Sequence, residues 1–204
     1  MRSQVTSPGV RVRTAGRYSN ARVVAAAARG DETAWNTIVE RYSRLVWAVA
    51  RTHRLSSGDA ADVVQATWLR LLEHLTDIRN ADGIGAWLAT TARREALLTL
   101  RRAARCEPSD AIDVPPDGPA AGIDAELLRE ERHAAVAAAL RRLPTRDQSL
   151  LRLLTLDPAP SYEEIGAALA MPIGSIGPTR SRALARLRRE LRRAGAHELV
   201  RDAD

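Results

Sequence analysis

Residues 161–178 read SYEEIGAALAMPIGSIGP and carry the clearest structural signal in the chain. Ser161 and Glu164 fit a capping box, in which the hydroxyl accepts a bond from the backbone and the carboxylate accepts one in return, so a helix begins here. That helix is short because Pro172 ends it. The hydroxyl of Ser175 is placed to cap a longer second helix that tolerates Pro178 in its first turn. The segment predicts a helix-turn-helix.

The spacing within this segment supports the same motif. The fifth position of the first helix is Gly166, where a missing side chain lets two helices approach, and the fifteenth is Ile176, an apolar plug between them. Glycine is usual at the ninth position, which here is Ala170. The second helix is expected to end near Arg193, with seven arginines and one acid. Such an excess favours DNA contact over an ordinary solvated face. The charged residues are Arg180, Arg182, Arg186, Arg188, Arg189, Arg192, Arg193 and Glu190, and the inward stripe is Ala183, Leu184, Leu187 and Leu191.

Upstream, an acidic segment rich in proline and glycine divides the chain. Residues 106–126 carry six acids and no arginine, whereas residues 1–20, 21–105 and 127–204 each have a net charge of +4. Proline interrupts helices, and repulsion between like charges opposes collapse. We predict a flexible acidic linker between two basic helical domains, and a disordered basic tail over residues 1–20.

The first domain, residues 21–105, contains three amphipathic segments. The first is capped by Asp31 and ends near Gly58, the second begins near Asp59, and the third runs from about Asp82 to Arg102. Residues 76–83 are expected to form a loop. Apolar side chains recur every three or four residues and are expected to face inward. They are Ala34, Trp35, Ile38, Val39, Tyr42, Val46 and Val49, then Val63, Val64, Trp68, Leu71, Leu72 and Leu75, then Ile84, Trp87, Leu88, Thr91 and Leu98.

The second domain, residues 127–204, opens with an Ala- and Leu-rich helix over residues 125–143, which Pro144 stops. A second helix is expected over residues 145–154, before Pro158 and Pro160. The helix-turn-helix follows. With 45% hydrophobic but only 3% aromatic residues, the core must be built mainly from Ala, Leu, Val and Ile, which favours helix over strand. The sequence predicts an all-α protein of two small domains.

Composition also limits the chemistry. The chain has 31 basic residues, all of them arginine, and 25 acids. Arginine presents a permanently charged fork suited to phosphate and guanine. Codon bias in a GC-rich genome explains the preference for Arg over Lys equally well, but the positive sign remains and favours a nucleic-acid partner.

Cysteine and histidine suggest no metal or cofactor. A lone Cys106 excludes a disulfide framework or a cysteine zinc site, and the four histidines lie far apart in sequence. No apolar run approaches the ~18 residues of a membrane span, and no signal peptide is evident. We therefore expect a cytoplasmic protein without catalytic residues.

Taken together, the motifs resemble those of the extracytoplasmic-function (ECF) sigma factors of the bacterial sigma-70 family. The resemblance covers residues 25–195, with the motifs in the family's order and spacing. They are GDETAW with RY (residues 30–35 and 41–42), DVVQATWL (62–69), AWLATTAR (86–93) with Arg101 and Arg102, LP (143–144), YEEI (162–165) and PIGSI (172–176).

The resemblance implies binding surfaces for core RNA polymerase and for DNA. Asp62, Gln65 and Leu69, with Arg70 nearby, would dock on the polymerase, although they also suit an ordinary polar helix face. The loop before the Trp-Leu helix would hold a base flipped from the melted −10 element, and four arginines would line the strand's path. Trp87 is expected to be a core anchor rather than a stacking platform. The loop residues are Asn80, Ala81, Asp82, Gly83 and Ile84, and the arginines are Arg93, Arg94, Arg101 and Arg102.

The second domain would bind the duplex −35 element. Gly177, Pro178, Ser181 and Arg182 would face base edges, while Thr179, Arg180 and Arg186 would contact phosphates. Because a Gly-Pro pair has no side-chain donor, Ser181 and Arg182 would carry most direct readout, and DNA shape the rest. The sequence departs from the family at Arg94, where Asn is common, at Leu98, where an acid is common nearby, and in residues 177–180.

The sequence is therefore predicted to be a sigma factor that directs core RNA polymerase to promoters, melts DNA and initiates transcription. An anti-sigma factor is a further candidate partner, although no sequence feature identifies one. The acidic linker fits equally well as a mimic of nucleic acid or as a spacer. The alternative is a stand-alone helix-turn-helix regulator that binds duplex DNA as a dimer.

Overall fold

The structure, a computed structural model, describes residues 19–104 and 133–195, and within these ranges all regular secondary structure is helical. The predicted linker at 106–126, nearly all of the predicted tail at 1–20, and the start of the helix at 125–143 lie outside these ranges. We call residues 19–104 the N-terminal unit and residues 133–195 the C-terminal unit.

The N-terminal unit contains four helices and two 3-10 turns. They are α1 (Asn20–Ala27), α2 (Glu32–Arg51), α3 (Ser57–His74), a turn at Leu75–Asp77, a second turn at Ala81–Gly83, and α4 (Ile84–Ala103). Local sequence explains the helix starts. The carboxylate of Asp31 caps α2 by accepting from the amide of Ala34, and the hydroxyl of Ser56 caps α3 by accepting from that of Asp59. Both caps satisfy amides that a helix leaves unpaired at its first turn.

Helix α1 was missing from the sequence-based prediction. It follows Ser19, is rich in alanine and buries Val23, Val24 and Ala27. Because Asn20 opens this helix, the predicted tail over residues 1–20 overlaps structured chain at its end. The signal was the helix-favouring run VVAAAA at residues 23–28, which precedes the stronger pattern after Gly30.

The C-terminal unit contains four helices. They are α5, of which residues 133–141 are described, α6 (Thr145–Leu154), α7 (Tyr162–Leu169) and α8 (Ile173–Arg193). The predicted capping box is confirmed, since the hydroxyl of Ser161 accepts from the amide of Glu164 and the Glu164 carboxylate accepts from the amide of Ser161. Helix α7 ends at Ala170, whose φ of 50° lies in the left-handed region that glycine adopts at lower cost.

Four local predictions were wrong. Ser175 does not cap α8, which begins at Ile173, so Ser175 lies inside the helix and its hydroxyl donates to the carbonyl of Pro172. Pro178 consequently falls beyond the first turn. Leu72 and Leu98 were expected inside but are 60% and 40% exposed, because their turns of α3 and α4 face solvent.

The two units pack against each other. One hydrophobic cluster includes Ile38, Val46 and Leu88 of the N-terminal unit together with Leu153 and Ile165 of the C-terminal unit. The most extensive contact between described helices joins α4 to α7, and α2 also contacts α6. Sequence analysis predicted two separately folded domains, and nothing in the pattern indicated this shared core.

Candidate nucleic-acid interface and partner surface

An exposed face of α3 carries the residues expected to bind polymerase. Asp62, Gln65, Leu69 and Arg70 are all exposed, and the first three recur at steps of three and four residues, which places them on one side of the helix. Leu69 is 53% exposed and lies near the equally uncovered Leu72. Adjacent apolar side chains left in water are typical of a surface that meets a partner.

Side chains of α3 contact both neighbouring helices. Trp68 packs edge-to-face on Trp35 of α2, with ring centroids 6.3 Å apart. Arg70 bridges two acids, donating to Glu73 at 3.2 Å and placing Nε 3.5 Å from Glu95 of α4. Helix α3 is thus fixed to both neighbouring helices, while Asp62, Gln65 and Leu69 remain exposed.

A cavity lies beside the predicted pocket loop. It has a volume of about 390 Å³ and is open to solvent, a size within the usual range of small-ligand sites, ~300–1,000 Å³. Asn80 and Gly83 line it, as predicted for the loop, whereas Ala81, Asp82 and Ile84 do not. The Asn80 side chain accepts from the amide of Asp82 at 3.1 Å, which holds the turn. The other lining residues are His74, Asp77, Ile78, Arg79 and Trp87.

Two aromatic rings form one wall of this cavity. His74 and Trp87 meet edge-to-face with centroids 6.3 Å apart. Trp87 is half-buried and packs against the core, as expected for a core anchor, and it also lines the cavity. His74 was not selected from the sequence, and only its position just before the loop, at the end of α3, could have indicated it.

Downstream of the cavity, the four arginines of α4 are not equivalent. Arg94, Arg101 and Arg102 are exposed, whereas Arg93 is half-buried and its Nε is buried without a hydrogen-bond partner among the described residues. Burial and the nearby positive charge of Arg93 lower the pKa of His53 at the end of α2. Arg93 is therefore less accessible than the other three arginines, which reach solvent.

The helix-turn-helix has the close packing that its spacing predicted. A Cβ at Gly166 would lie 2.9 Å from the carbonyl oxygen of Met171, so no larger residue fits there without movement. Ile176 is fully buried beneath the turn. Ala183 and Leu191 are also buried and face α6 and α5, which fixes the rotation of α8 and turns its opposite face outward.

The outward face of α8 contains most of the predicted −35 residues. Arg180, Ser181, Arg182 and Pro178 are exposed, and Gly177 and Thr179 are half-exposed. Space is open around the position of a Cβ at Gly177. The guanidinium of Arg182 donates to the carbonyl of Pro178 and to the hydroxyl of Thr179, both at 3.3 Å, which holds it along the helix surface.

Arg186 is placed differently from the other predicted DNA residues. Its guanidinium donates to the carboxylate of Asp147 on α6, and that carboxylate is almost completely buried. Arg186 thus ties the recognition helix to its supporting helix. Sequence analysis did not identify Asp147 as a functional residue, because a carboxylate at the start of a helix is most simply explained as a favourable interaction with the helix dipole.

No described helix has the length and apolar character needed to cross a membrane. Across residues 19–104 and 133–195, no group of three or more His, Cys, Asp or Glu side chains is arranged to hold a metal ion.

Comparison with known sequences matches this arrangement to one family. The profile of the family described as Sigma-70 region 2 matches residues 38–106, which include the α3 face, the loop and α4. The ECF RNA polymerase sigma-E factor of Escherichia coli is 28% identical over 165 residues, covering 72% of this chain and 81% of the relative. The ECF sigma factor SigM of Mycobacterium tuberculosis is 27% identical over 173 residues, covering 85% of each chain.

Solved structures show the same fold. CnrH, solved in complex with the cytosolic domain of CnrY, is 23% identical with a TM-score of 0.52, covering 82% of this chain and 94% of CnrH. The sigma factor RpoE of Bartonella quintana, solved with the anti-sigma factor NepR, is 23% identical with a TM-score of 0.53, covering 77% of this chain and 96% of RpoE. These similarities confirm the predicted all-α fold.

Proposed function

We propose that the two units of this chain, which belongs to the ECF sigma factors of the sigma-70 family, bind different partners. A sigma factor binds core RNA polymerase and directs it to promoters, where transcription begins. The observation that carries the proposal is the match of Sigma-70 region 2 to residues 38–106, in a chain that also has a helix-turn-helix with an outward arginine face.

The exposed face of α3 is proposed to bind core polymerase. Asp62 and Gln65 supply polar contacts and Leu69 an apolar one, while Arg70 keeps its bridge to Glu73 and Glu95. An apolar residue surrounded by polar ones fits a protein partner better than DNA, because phosphates prefer cationic surfaces.

The cavity and α4 are proposed to hold the melted −10 strand. An extruded base needs a pocket with an aromatic wall and polar groups for its edge, and Trp87, His74 and the Asn80 loop supply these features. The arginines Arg94, Arg101 and Arg102, with Arg93 at the start of the track, would attract the phosphates that follow. Residues 81, 82 and 84 shape the loop without lining the cavity.

The outward face of α8 is proposed to read the duplex −35 element. Arg182 and Ser181 are proposed to carry base contacts, while Thr179 and Arg180 contact phosphates. Gly177 and Pro178 let the helix approach DNA closely. Arg186, held by Asp147, contributes a phosphate contact only with the donors left free by that pair.

The proposal also covers the location, chemistry and regulation of the chain. The chain works in the cytoplasm with the polymerase and has no catalytic activity of its own. An anti-sigma factor is proposed as a regulator, because both structural relatives were solved with such a partner or with a cytosolic domain bound. The stand-alone dimeric regulator is not favoured, since it leaves the region 2 match unexplained.

The test is size-exclusion co-elution of the purified chain with bacterial core RNA polymerase, followed by transcription of a fragmented genomic library with and without the chain. Co-elution and new, specific start sites are expected. Failure of both, together with tight binding of the free chain to duplex DNA, would favour the regulator instead.

A further inference from the structure

An isoleucine lies uncovered at the start of the helix that is expected to enter the DNA groove. Ile173 is the first residue of α8 and, at 51% exposure, the most exposed large apolar side chain between residues 161 and 193. Sequence analysis gave it no role, because α8 was expected to begin near Ser175. The earlier start places Ile173 in the first turn of the recognition helix.

The surroundings of Ile173 limit the movement of its side chain. A Cβ at Gly166 of α7 would lie 3.7 Å from Cγ1 of Ile173, so the side chain lies beside this glycine, where the two helices meet. Because isoleucine is branched at Cβ, it has one strongly preferred rotamer about its first side-chain bond in a helix. Ile173 therefore presents a well-defined apolar surface at the end of α8.

Ile173 shares a helix face with residues that are expected to face base edges. Gly177 follows it by four residues and Ser181 by eight, and residues four apart are neighbours on a helix surface. Gly177 has no side chain, and the space around its Cβ position is open. In helix-turn-helix proteins the N-terminal residues of the recognition helix contact base edges in the major groove. A base pair can thus approach α8 at Ile173.

The charge around Ile173 suits DNA better than a protein partner. The first turn of α8 contains no acid, and the one acid of this helix is Glu190, near its other end. Arg180 and Arg182 are exposed within the next two turns. Phosphates on either side of the groove would meet these cations, while the apolar side chain between them would meet the bases.

We propose that Ile173 reads a thymine of the −35 element through the methyl group of that base. The inference rests on the proposed function, because it requires that α8 enters the major groove at −35. Thymine is the one DNA base that presents a methyl group there, whereas the other base edges present donors and acceptors. Isoleucine against a polar edge would remove its water without replacing the hydrogen bonds, which costs free energy. Ile173 thus adds an apolar specificity determinant to the hydrogen bonds of Ser181 and Arg182.

The thymine lies close to the bases that the next turns contact. Residues 173 and 181 are about 12 Å apart along α8, at a rise of ~1.5 Å per residue. Because base pairs follow one another every ~3.4 Å, the bases read by these two residues lie within about four base pairs of each other. Both therefore fall within one promoter element.

Replacing thymine by deoxyuridine removes only the methyl group and tests the proposal. The chain bound to core polymerase is offered pairs of competing promoter fragments, taken from the transcribed library, in which one −35 thymine of either strand is deoxyuridine. At one position, deoxyuridine should lower affinity about fourfold, as expected for one buried methyl group. With Ile173→Ala the two fragments should bind equally at that position, and Ile173→Val should retain most of the preference.

The ratio of the two affinities separates base reading from a structural effect. A variant that merely loosens the helix-turn-helix would bind both fragments less tightly and keep the ratio of the unmodified chain. Val136→Ala is the matched control, because it shortens an exposed apolar side chain on α5, outside the proposed surfaces. Its ratio should equal that of the unmodified chain.

The proposal is overturned if no −35 position responds to deoxyuridine, or if Ile173→Ala keeps the full preference for thymine. A kept preference together with weaker binding to core polymerase would assign Ile173 to a protein contact instead. Failure of the proposed function looks different, because the unmodified complex would then not distinguish promoter fragments from unrelated duplex DNA at all.

Discussion

Arg186, in the middle of the recognition helix, donates its guanidinium to the buried carboxylate of Asp147 on α6. The pair joins the helix expected to enter the DNA groove to the helix that supports it. Breaking a charge-assisted bond to a buried carboxylate costs more than breaking an exposed ion pair, because the carboxylate is left buried without a partner. The orientation of α8 therefore depends on a buried acid of another helix.

Arg186→Ala should consequently reduce stability as well as DNA binding. We expect the free energy of unfolding to fall by about 1–3 kcal/mol, since the Asp147 carboxylate loses its partner. Arg182→Ala is the control, because Arg182 is exposed and bonds only within its own helix turn. Urea denaturation should separate the two variants, and equal stability of both would show that the Asp147 pair contributes nothing.

Arg182 itself should act on sequence preference. If it reads a base, Arg182→Ala should cost ~1–3 kcal/mol of discrimination at one −35 position, measured by competition between promoter fragments that differ at single positions. A uniform loss of affinity across all fragments would assign Arg182 to phosphate instead. Arg180→Ala should give that uniform loss.

Gly177→Ala should change stability and affinity in opposite directions. The residue lies inside α8 with open space around its Cβ position, so alanine should stabilise the helix by about 0.5–1 kcal/mol. The added methyl group would face the groove and should weaken −35 binding. Thermal unfolding and a −35 duplex binding assay measure the two effects, and a variant that is more stable with unchanged affinity would exclude close DNA approach at residue 177.

Asp62→Arg should weaken binding to core polymerase without unfolding the chain. Asp62 is exposed on the α3 face and has no hydrogen bond or ion pair to a described residue in the structure, so charge reversal acts on a partner rather than on the fold. Glu40→Arg, an equal charge change on the exposed side of α2, is the matched control. Polymerase affinity measured by fluorescence titration should fall at least tenfold for the first variant only, and the −35 affinity of both should stay unchanged. Equal polymerase affinities would place the docking face elsewhere.

The sequence predicted those features that depend on local pattern. The Asp31 cap, the Ser161 capping box, the approach at Gly166 and the burial of Ile176 all follow from residue type and spacing, and each is present. Contacts between distant residues leave no such pattern. The pairing of Arg186 with Asp147, the cavity wall of His74 and Trp87, and the packing of Glu164 on Gly85 arise only when separate helices meet.

Errors at exposed positions have the same origin. Leu72 continues the apolar spacing of α3, but the neighbouring helices cover only part of that face, so it lies 60% exposed. Ser175 has the side chain of a cap, yet the backbone already turns into α8 at Ile173, so Ser175 lies inside the helix and its hydroxyl donates to the carbonyl of Pro172. Periodicity indicates an apolar face, while packing decides how wide that face is.

His53 should make stability depend on pH. Burial, and then the charge of Arg93, lower its pKa, so the folded chain resists protonation at pH values where the unfolded chain, with a pKa of ~6.5, accepts a proton. The free energy of unfolding that depends on a neutral His53 is thus fully present above about pH 6.5, and it is lost as the pH falls towards the pKa of His53 in the folded chain. His53→Gln should flatten the difference in unfolding free energy between pH 7.5 and 5.5. Equal profiles for the unmodified chain and the His53→Gln variant would refute the role of His53.

Tyr42 reports on the contact between the two units. Burial raises the pKa of its phenol most, and the carboxylate of Glu164, from the other unit, raises it further, while Arg41 and the Asn20 side chain act in the opposite direction. Glu164→Gln should therefore lower the pKa of Tyr42 while leaving it above its usual value, since the burial remains. Glu163→Gln is the control, because this neighbouring exposed acid does not act on Tyr42. The ring carbon shift of Tyr42 measures the titration. A pKa that is the same in all of these chains would mean that α7 does not lie against Tyr42 in solution.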